Sequence, residues 1–307
     1  MLIRASPSVQ EVQRSPPSWG LWRISQKTRN PVDNDYHYDS SGGEGITVYV
    51  VFTGVDVDHP DLKPRAIWGY NNIDSGTADR DGYGTFYSAL IAGTKYGVAK
   101  KATVIGVRSY NLIGNGIDLF PHIREGLRWA VNDATEKGIS KKSVLSFHFP
   151  MGRRDGRMEA LLNGAVDSGM FVVGPAGDKG ENGDDFMLSH IKGACITGAF
   201  NRSNQPAPWS NWGKSVSVYA PGHYINSTLP GDKPFTMSGT MVAMSYTAGV
   251  GAYLMGLEGI PGSKVCERIK ELASPCLLDP VEGTTNKLLY NGYDHFNMAN
   301  AGAANSC

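Results

Sequence analysis

Residues 235–254 constrain the fold of this chain more than any other stretch. The sequence there is FTMSGTMVAMSYTAGVGAYL, in which a tight turn at Ser238-Gly239-Thr240 leads into a helix of small and apolar residues. A helix that is small and apolar on all sides is buried, with other elements packed closely against it. Its first turn also presents unpaired N–H groups and a partial positive charge. We therefore predict a central helix whose N-terminus borders a functional site.

The rest of the pattern predicts an α/β fold with one domain. Short apolar runs that end at glycine or proline predict strands, and amphipathic runs between them predict helices. Strands alternating with helices form a parallel sheet covered on both faces, with ligand sites at the carboxyl ends of the strands. Predicted strands are 46–52, 103–108, 143–149, 170–174, 195–199 and 216–219. Predicted helices run from an N-cap at Asp118 to Gly138, and over 157–168 and 263–273.

The composition narrows the classes of function. The 307 residues carry 29 Lys+Arg and 29 Asp+Glu, so nothing indicates nucleic acid or a membrane surface as a partner. No apolar run is long enough to cross a bilayer, and the N-terminus lacks the apolar core of a signal peptide. The four cysteines form no CxxC pair, which argues against zinc and redox chemistry. We expect a monomer without metal or cofactor, and the compartment stays open.

The turn and helix at 235–254 resemble the GTSMATPHVAG segment of the subtilisin family, in particular of its proteinase K branch. SPPSWGLWRIS, ITVYVVFTGVDVDHPDL and DRDGYGTFYSALIAG match further segments of that family. The resemblance implies a subtilisin-like three-layer fold, with a mostly parallel sheet, helices on both faces and a central buried helix. It places this domain at residues 18–307, after a leader of residues 1–17. Residues 1–14 resemble the end of an inhibitory propeptide, and an edge strand and a disordered leader are equal alternatives there.

Members of this family cleave peptides with an aspartate, a histidine and a serine, assisted by an asparagine that stabilises the oxyanion. In the motif matches these four positions are occupied, in that order, by Phe52, Tyr83, Met241 and Asp178. A thioether cannot form an acyl-enzyme, and an ionised aspartate repels the charge that an amide would stabilise. We therefore expect a protein without protease activity.

The resemblance also outlines the floor of the cleft, where family members have a strand that binds the substrate backbone. Here VLSFHFPMG puts aromatic and apolar side chains along the groove, and its proline cannot donate a backbone N–H. The groove is thus expected to be narrower and more apolar than that of a protease. The residues expected to contact a ligand are Phe52, Phe86, Phe149, Pro150 and Met241.

Three ionisable side chains, Tyr83, His148 and Asp178, are expected in the same groove. One interpretation makes them a new acid/base set, because a histidine titrates near neutral pH. The other treats them as groups that fill space and form local hydrogen bonds. Other polar residues of the region are interpreted as structural, namely Ser238, Asp56, Asp58 and His59.

Two functions therefore remain open. In the first, the rebuilt cleft catalyses a non-hydrolytic step on a small or peptide-like molecule, in specialised metabolism. In the second, the chain is a pseudoprotease that binds a peptide or protein partner without chemistry.

Two secondary sites follow from the resemblance. It implies a disulfide between Cys195 and Cys266, whereas Cys276 and Cys307 have no counterpart and either pair or stay free. Ser217 stands where the family has a carboxylate that binds calcium, so we do not expect calcium there.

Overall fold

The computed structural model describes residues 10–28, 33–112, 119–149 and 154–293. The strands in these ranges are β1 (Gln10–Gln13), β2 (Tyr36–Asp39), β3 (Thr47–Phe52), β4 (Ala66–Asn71), β5 (Thr103–Arg108), β6 (Ser143–Phe147), β7 (Phe171–Pro175), β8 (Cys195–Phe200), β9 (Val218–Pro221), β10 (Ile225–Leu229) and β11 (Lys233–Met237). The helices are α1 (Trp19–Ile24), α2 (Tyr83–Ala92), α3 (Phe120–Glu136), α4 (Gly156–Asp167), α5 (Thr240–Glu258) and α6 (Gly262–Leu272).

A seven-stranded parallel sheet forms the centre of the fold, in the order β4-β5-β3-β6-β7-β8-β9. All the strands predicted from the sequence lie in it, and the edge strand β4 is an addition. The strands β4 and β5 lie on one side of β3, and the later strands from β6 onward lie on the other side. The order in which strands are added therefore reverses at β3. The carboxyl ends of β3 and β6 therefore flank the crevice where such sheets bind ligands.

Tyr49 and Phe52 of β3 show that the sheet is covered on both faces. Side chains alternate along a strand, so residues three apart point to opposite faces. The Tyr49 ring lies 6.4 Å from Trp129 of α3, whereas the Phe52 ring lies 5.7 Å from Tyr87 of α2. On the first face α3 packs with α4, and on the second α2 packs with α5. This arrangement confirms the predicted three-layer α/β fold.

Helix α5 is the central helix predicted from residues 235–254. All but three of its 19 residues are buried. A Cβ added at Gly251 would overlap the Phe171 ring of β7, so glycine is needed for this close approach. Gly259 ends the helix in the left-handed conformation, with φ of 67°. None of the helices in the described ranges is long and apolar enough to span a membrane.

The other predicted helices are also observed, with bounds that shift by a residue or two. Asp118, the predicted N-cap of α3, lies outside the described residues. Cys195 of β8 and Cys266 of α6 form the predicted disulfide, with Cα atoms 5.4 Å apart. Of the two alternatives for Cys276, the paired one holds, since no cysteine in the described ranges is free. Cys307 lies outside these ranges.

The N-terminal segment forms a small sheet away from the central one. β1 pairs antiparallel with β2, so an edge strand is the alternative that holds for residues 10–13. Residues 1–9 lie outside the described ranges, and the propeptide interpretation stays a prediction. The backbone N–H of Asp39 in β2 donates to the Tyr253 hydroxyl at 2.9 Å. The small sheet therefore contacts the half of α5 that is remote from its N-terminus.

Candidate functional site

Tyr83 is the first residue of α2, and a buried carboxylate fixes the turn in which it lies. Asp79, 4% exposed, accepts hydrogen bonds from the backbone N–H groups of Gly82 at 2.9 Å and Thr85 at 2.8 Å. It also accepts one from the Thr85 hydroxyl at 2.7 Å. These bonds satisfy N–H groups that a helix N-terminus leaves without an intrahelical partner. Tyr83 itself is half-buried and packs against the core.

The start of α2 also lies directly against the turn that follows β3. The backbone N–H of Gly84 donates to the Thr53 hydroxyl at 2.8 Å. A Cβ added at Gly84 would overlap the Gly54 carbonyl oxygen, so this contact requires a glycine. Phe52, at the end of β3, and Tyr83 are thereby brought to the same edge of the sheet.

Three aromatic rings form a cluster at the carboxyl ends of β3, β5 and β6. The Phe52 ring stacks on Tyr110 at 5.0 Å and meets Phe149 edge-on at 5.3 Å. The backbone N–H of Tyr110 donates to the Phe52 carbonyl oxygen at 3.1 Å. Phe52 and Phe149 lie at the predicted end of the strands but are only 5% and 4% exposed, so the expectation that they contact a ligand is wrong. Tyr110, which is half-buried, was missed, although it follows a predicted strand by two residues. Pro150, which was also expected to contact a ligand in this groove, lies outside the described residues.

His148 lies beneath this cluster, in the interior of the protein. It is fully buried, and its ring stacks on Tyr87 at 4.4 Å between centroids. Its Nδ1 lies 3.3 Å from the Ser146 carbonyl oxygen and its Nε2 lies 3.2 Å from Ser245 Oγ. The neutral ring carries one proton, so either Nδ1–H donates to the Ser146 carbonyl oxygen and Nε2 accepts the Ser245 hydroxyl, or Nε2–H donates to Ser245 Oγ. Burial lowers the pKa of His148 to about 3. The expectation that His148 titrates near neutral pH in the cleft is therefore wrong.

Phe86 is likewise part of the core. It is fully buried, and its ring lies edge-on to Tyr87 at 5.7 Å and to Phe235 at 6.2 Å. The expectation that Phe86 contacts a ligand is therefore wrong, because its neighbours in α2 and β11 cover it. The strand and helix patterns could not show this, since helix α2 is buried on nearly all sides.

Asp178 lies in the loop after β7, at the N-terminus of α5. Its Oδ1 accepts a hydrogen bond from the backbone N–H of Thr240 at 2.7 Å, and its Oδ2 lies on the side of Gly239. Although the residue as a whole is exposed, burial of the carboxylate raises its pKa, and the bond from Thr240 offsets this only in part. The carboxylate thus occupies part of the positive end of the central helix.

Met241 is the second residue of α5, and it is half-buried against the core. Its carbonyl oxygen lies 2.9 Å from Ser245 Oγ, which donates to it when His148 Nε2 carries the ring proton. Through Ser245 and His148 this turn of α5 is linked to the ring of Tyr87 on α2. The pKa of Tyr87 is raised, first by burial and then by the charges of Asp178 and Tyr83. Tyr87 was missed, although it lies one helical turn after Tyr83 and so on the same face of α2.

The remaining polar residues are engaged within the protein, as predicted. Ser238 Oγ accepts a hydrogen bond from the backbone N–H of Tyr224 at 2.8 Å. His59 is buried, with Nδ1 accepting from the Asp61 N–H at 3.1 Å and Nε2 at 3.1 Å from Thr228 Oγ1. In the described ranges, no group of three or more His, Cys, Asp or Glu side chains could hold a metal ion.

Comparison with known proteins agrees with this arrangement. The profile of the Subtilase family matches residues 43–263. Subtilisin-like protease 9 of Arthroderma otae is 41% identical over 284 residues, which cover 91% of this chain and 68% of that protein. The subtilisin-like serine protease Pen ch 13 of Penicillium rubens is 39% identical over 292 residues, covering 95% and 72%. The crystal structure of a cold adapted subtilisin-like serine proteinase matches with a TM-score of 0.79 and 31% identity, covering 89% of this chain and 97% of that one. The chain is a member of the subtilase family with the subtilisin-like fold.

Proposed function

We propose that this chain is a proteolytically inactive subtilase that binds a peptide or peptide-like segment in the former catalytic cleft without cleaving it. The observation that carries the proposal is the side chain at the start of α5. Met241 stands at the position that the resemblance assigns to the nucleophile. A thioether has no proton to transfer and forms no acyl-enzyme, so the family reaction has no first step.

The nearby serines do not replace the nucleophile. Ser245 and His148 are in contact at 3.2 Å, which is the pairing that activates a serine. Both are fully buried, so no substrate carbonyl can approach the hydroxyl. Ser238 is exposed, but its oxygen accepts the N–H of Tyr224, and among the described residues no imidazole is in hydrogen-bonding contact with it.

The base and the oxyanion site are unsuited to hydrolysis as well. Tyr83 supplies a phenol, which is a much weaker base at neutral pH than an imidazole. Asp178 supplies a carboxylate beside the helix N-terminus, where an oxyanion would have to be stabilised. An ionised carboxylate accepts hydrogen bonds and repels a second negative charge. Each missing function therefore adds to the loss of the nucleophile.

The same features suit a ligand that is bound and not cleaved. A carboxylate has about four acceptor positions, so Asp178 can still accept an N–H from a ligand besides that of Thr240. Within the ring cluster the half-buried Tyr110 offers an apolar contact, and Phe52 and Phe149, 5% and 4% exposed, support its ring from below. We therefore expect ligands that place an N–H donor or an amine near Asp178 and an apolar side chain near the ring cluster.

A non-hydrolytic catalyst remains the second candidate. It is favoured by one observation: the side chains of Tyr83 and Asp178, at the N-termini of α2 and α5, both remain accessible. The acid/base set expected from the sequence had three members, and the burial of His148 removes the one with a suitable pKa. Binding is therefore the better supported of the two functions.

The test combines binding and cleavage in one assay. Purified protein is incubated with a library of unmodified peptides, bound peptides are separated from free ones, and both fractions are sequenced by mass spectrometry. We expect intact peptides with a basic or amide-rich residue beside an apolar one, and no new peptide termini. An active subtilase serves as the positive control, and Asp178→Asn should weaken the selection for basic residues. New termini produced by the protein would refute inactivity, whereas modified but uncleaved ligands would favour the second candidate.

A further inference from the structure

A second concave site lies on the opposite edge of the central sheet. The cleft is at the carboxyl ends of β3 and β6, whereas this pocket is at the amino end of β9, just before Val218. Its volume is about 240 Å³. It is formed by the segment before β9, the last turn of α6 and the segment that follows Thr284. The polar side chains that line it are Lys214, Ser215, Ser217, Lys270, Thr285 and Lys287.

The walls of this pocket are fixed by backbone hydrogen bonds. The Lys287 carbonyl oxygen accepts the N–H of Tyr219 at 2.8 Å, which ties the C-terminal segment to β9. The N–H of Ser217 donates to the Ile196 carbonyl oxygen at 2.8 Å, which ties the segment before β9 to β8. Walls held in this way lose little conformational freedom when a ligand binds.

The charge of the pocket is positive. Lys214, Lys270 and Lys287 all line it, and the ion pair found for these lysines in the described residues joins Lys270 to Glu267 at 2.9 Å. The pKa of Glu267 is lowered first by the hydrogen bond from Lys270 and more weakly by the charge of Lys287. Asp184, which does not line the pocket, accepts the N–H of Ser215 at 2.8 Å. The lysines outnumber the carboxylates that face them.

The hydroxyl of Ser217 adds a donor to the lining of the pocket. Ser217 is largely buried, and its oxygen accepts the N–H of Ile196 at 3.2 Å, so its proton is available to a ligand. This is the position where the resemblance expects a carboxylate that binds calcium. Ammonium groups around a hydroxyl repel a divalent cation and attract an oxyanion.

We propose that this pocket binds a tetrahedral oxyanion, namely phosphate or sulfate, either as the free ion or as a group on a larger molecule. Lys270, Lys287 and Lys214 supply charge-assisted hydrogen bonds, and Ser217 supplies a neutral one. Since a water molecule occupies about 30 Å³ in the liquid, the pocket has room for an oxyanion with several waters or a small attached group. This site is independent of the function proposed for the cleft.

The test is calorimetric titration with inorganic phosphate at constant ionic strength, with thermal unfolding as a second measurement. Wild type, Lys270→Gln, Lys287→Gln and Ser217→Asp are compared with Lys137→Gln, which removes the lysine directly after α3 that pairs with Asp133. We expect saturable binding to wild type and to Lys137→Gln. Each of the two lysine variants of the pocket should raise the Kd about tenfold, because a charge-assisted hydrogen bond is lost. Ser217→Asp should abolish binding by repulsion.

Phosphate also stabilises proteins by exclusion from their surface, so the difference between variants is decisive, not the stabilisation of wild type. Lys287→Arg keeps the charge and should retain binding, which separates loss of the site from loss of the fold. O-Phosphoserine and sulfate are titrated in parallel. Tighter binding of O-phosphoserine identifies a phosphorylated molecule as the ligand, and equal or weaker binding identifies the free ion. No binding to wild type, or equal binding to all variants, would overturn the proposal.

Discussion

Two aspartates at helix N-termini show how differently the protein uses the same group. Asp79, at the start of α2, is buried and accepts three hydrogen bonds from Gly82 and Thr85. Asp178, at the start of α5, is exposed and accepts the N–H of Thr240. The first is saturated by the protein around it, whereas the second keeps acceptor capacity toward the cleft. The number of hydrogen bonds that a polar group near this cleft forms within the protein therefore indicates whether its role is structural or is to bind a ligand.

The same distinction separates His148 from Tyr83. The imidazole of His148 has a protein partner at each nitrogen and no contact with solvent. Tyr83 is half-buried at the mouth of the cleft. Substitution of a buried side chain whose polar atoms are bonded within the protein should lower stability. Substitution of a side chain that is accessible from the cleft should change ligand binding.

The largest effect is expected from Asp79→Asn. In either orientation the amide nitrogen would face a backbone N–H, that of Gly82 or that of Thr85, so at least one buried donor loses its acceptor. We expect the free energy of unfolding to fall by about 3 kcal/mol, measured by urea denaturation. Asp178→Asn is the matched control and should cost less than about 1 kcal/mol, because its site is open to water. Equal losses in the two variants would contradict the comparison.

The next effect is the pH dependence that His148 contributes. Its pKa is about 3 in the folded protein against 6.5 for a free imidazole, so the unfolded chain binds more protons between these values. Stability is therefore lost as pH falls through this window, by about 2.5 kcal/mol between pH 7 and 4.5. The glutamine of His148→Gln does not titrate. Between pH 7 and 4.5 the unfolding free energy of this variant should therefore fall by about 2.5 kcal/mol less than that of the wild type. Parallel pH profiles of the two proteins would show that His148 is accessible in the folded state.

A smaller effect is expected from Tyr83→Phe, since the ring that packs at the cleft wall is kept. Stability should be unchanged, and affinity for a selected peptide should fall by about 1 kcal/mol, the value of one hydrogen bond. Tyr70→Phe, on the edge strand β4, is the control for loss of a hydroxyl elsewhere. Should a chemical conversion be found and Tyr83→Phe abolish it, the non-hydrolytic function would replace binding.

No activity is expected from Met241→Ser alone. The new hydroxyl would lie at the open wall, with Tyr83 as its only candidate base from the expected set and His148 sealed beneath it. We expect that a fluorophosphonate does not label Met241→Ser and that the variant shows no burst of acylation. We expect the same of the double variant Met241→Ser/Asp178→Asn. Rapid stoichiometric labelling of the single variant would show that a base reaches this position.

The central sheet and the helix α5 were predicted well because their residues follow regular apolar patterns. Buried parallel strands are continuous apolar runs, and α5 has small residues on every side, so both patterns are strong. The β10–β11 hairpin and β4 were missed, since their exposed faces interrupt the apolar pattern. Fungal relatives that share about 40% of the sequence agree with the family assigned from the motifs.

The site was predicted less well, for a geometric reason. The motifs place residues at the correct ends of strands, as Phe52 and Phe149 show, but they do not give the direction of a side chain. β6 is buried on both faces, so the sequence cannot show whether His148, directly after it, points to solvent or inward. Tyr110 and Tyr87 were missed because they complete contacts between segments distant in the chain.

The position of the β1–β2 sheet offers a way to observe ligand binding by fluorescence. Thr240 and Tyr253 are separated by 13 residues of α5, which at about 1.5 Å per residue is roughly 20 Å. A dye attached at β1 would therefore sit too far from the cleft to touch a bound peptide, yet close enough for energy transfer to a dye on that peptide. The central helix serves in this design as a ruler of fixed length, and transfer efficiency would report occupancy of the cleft directly.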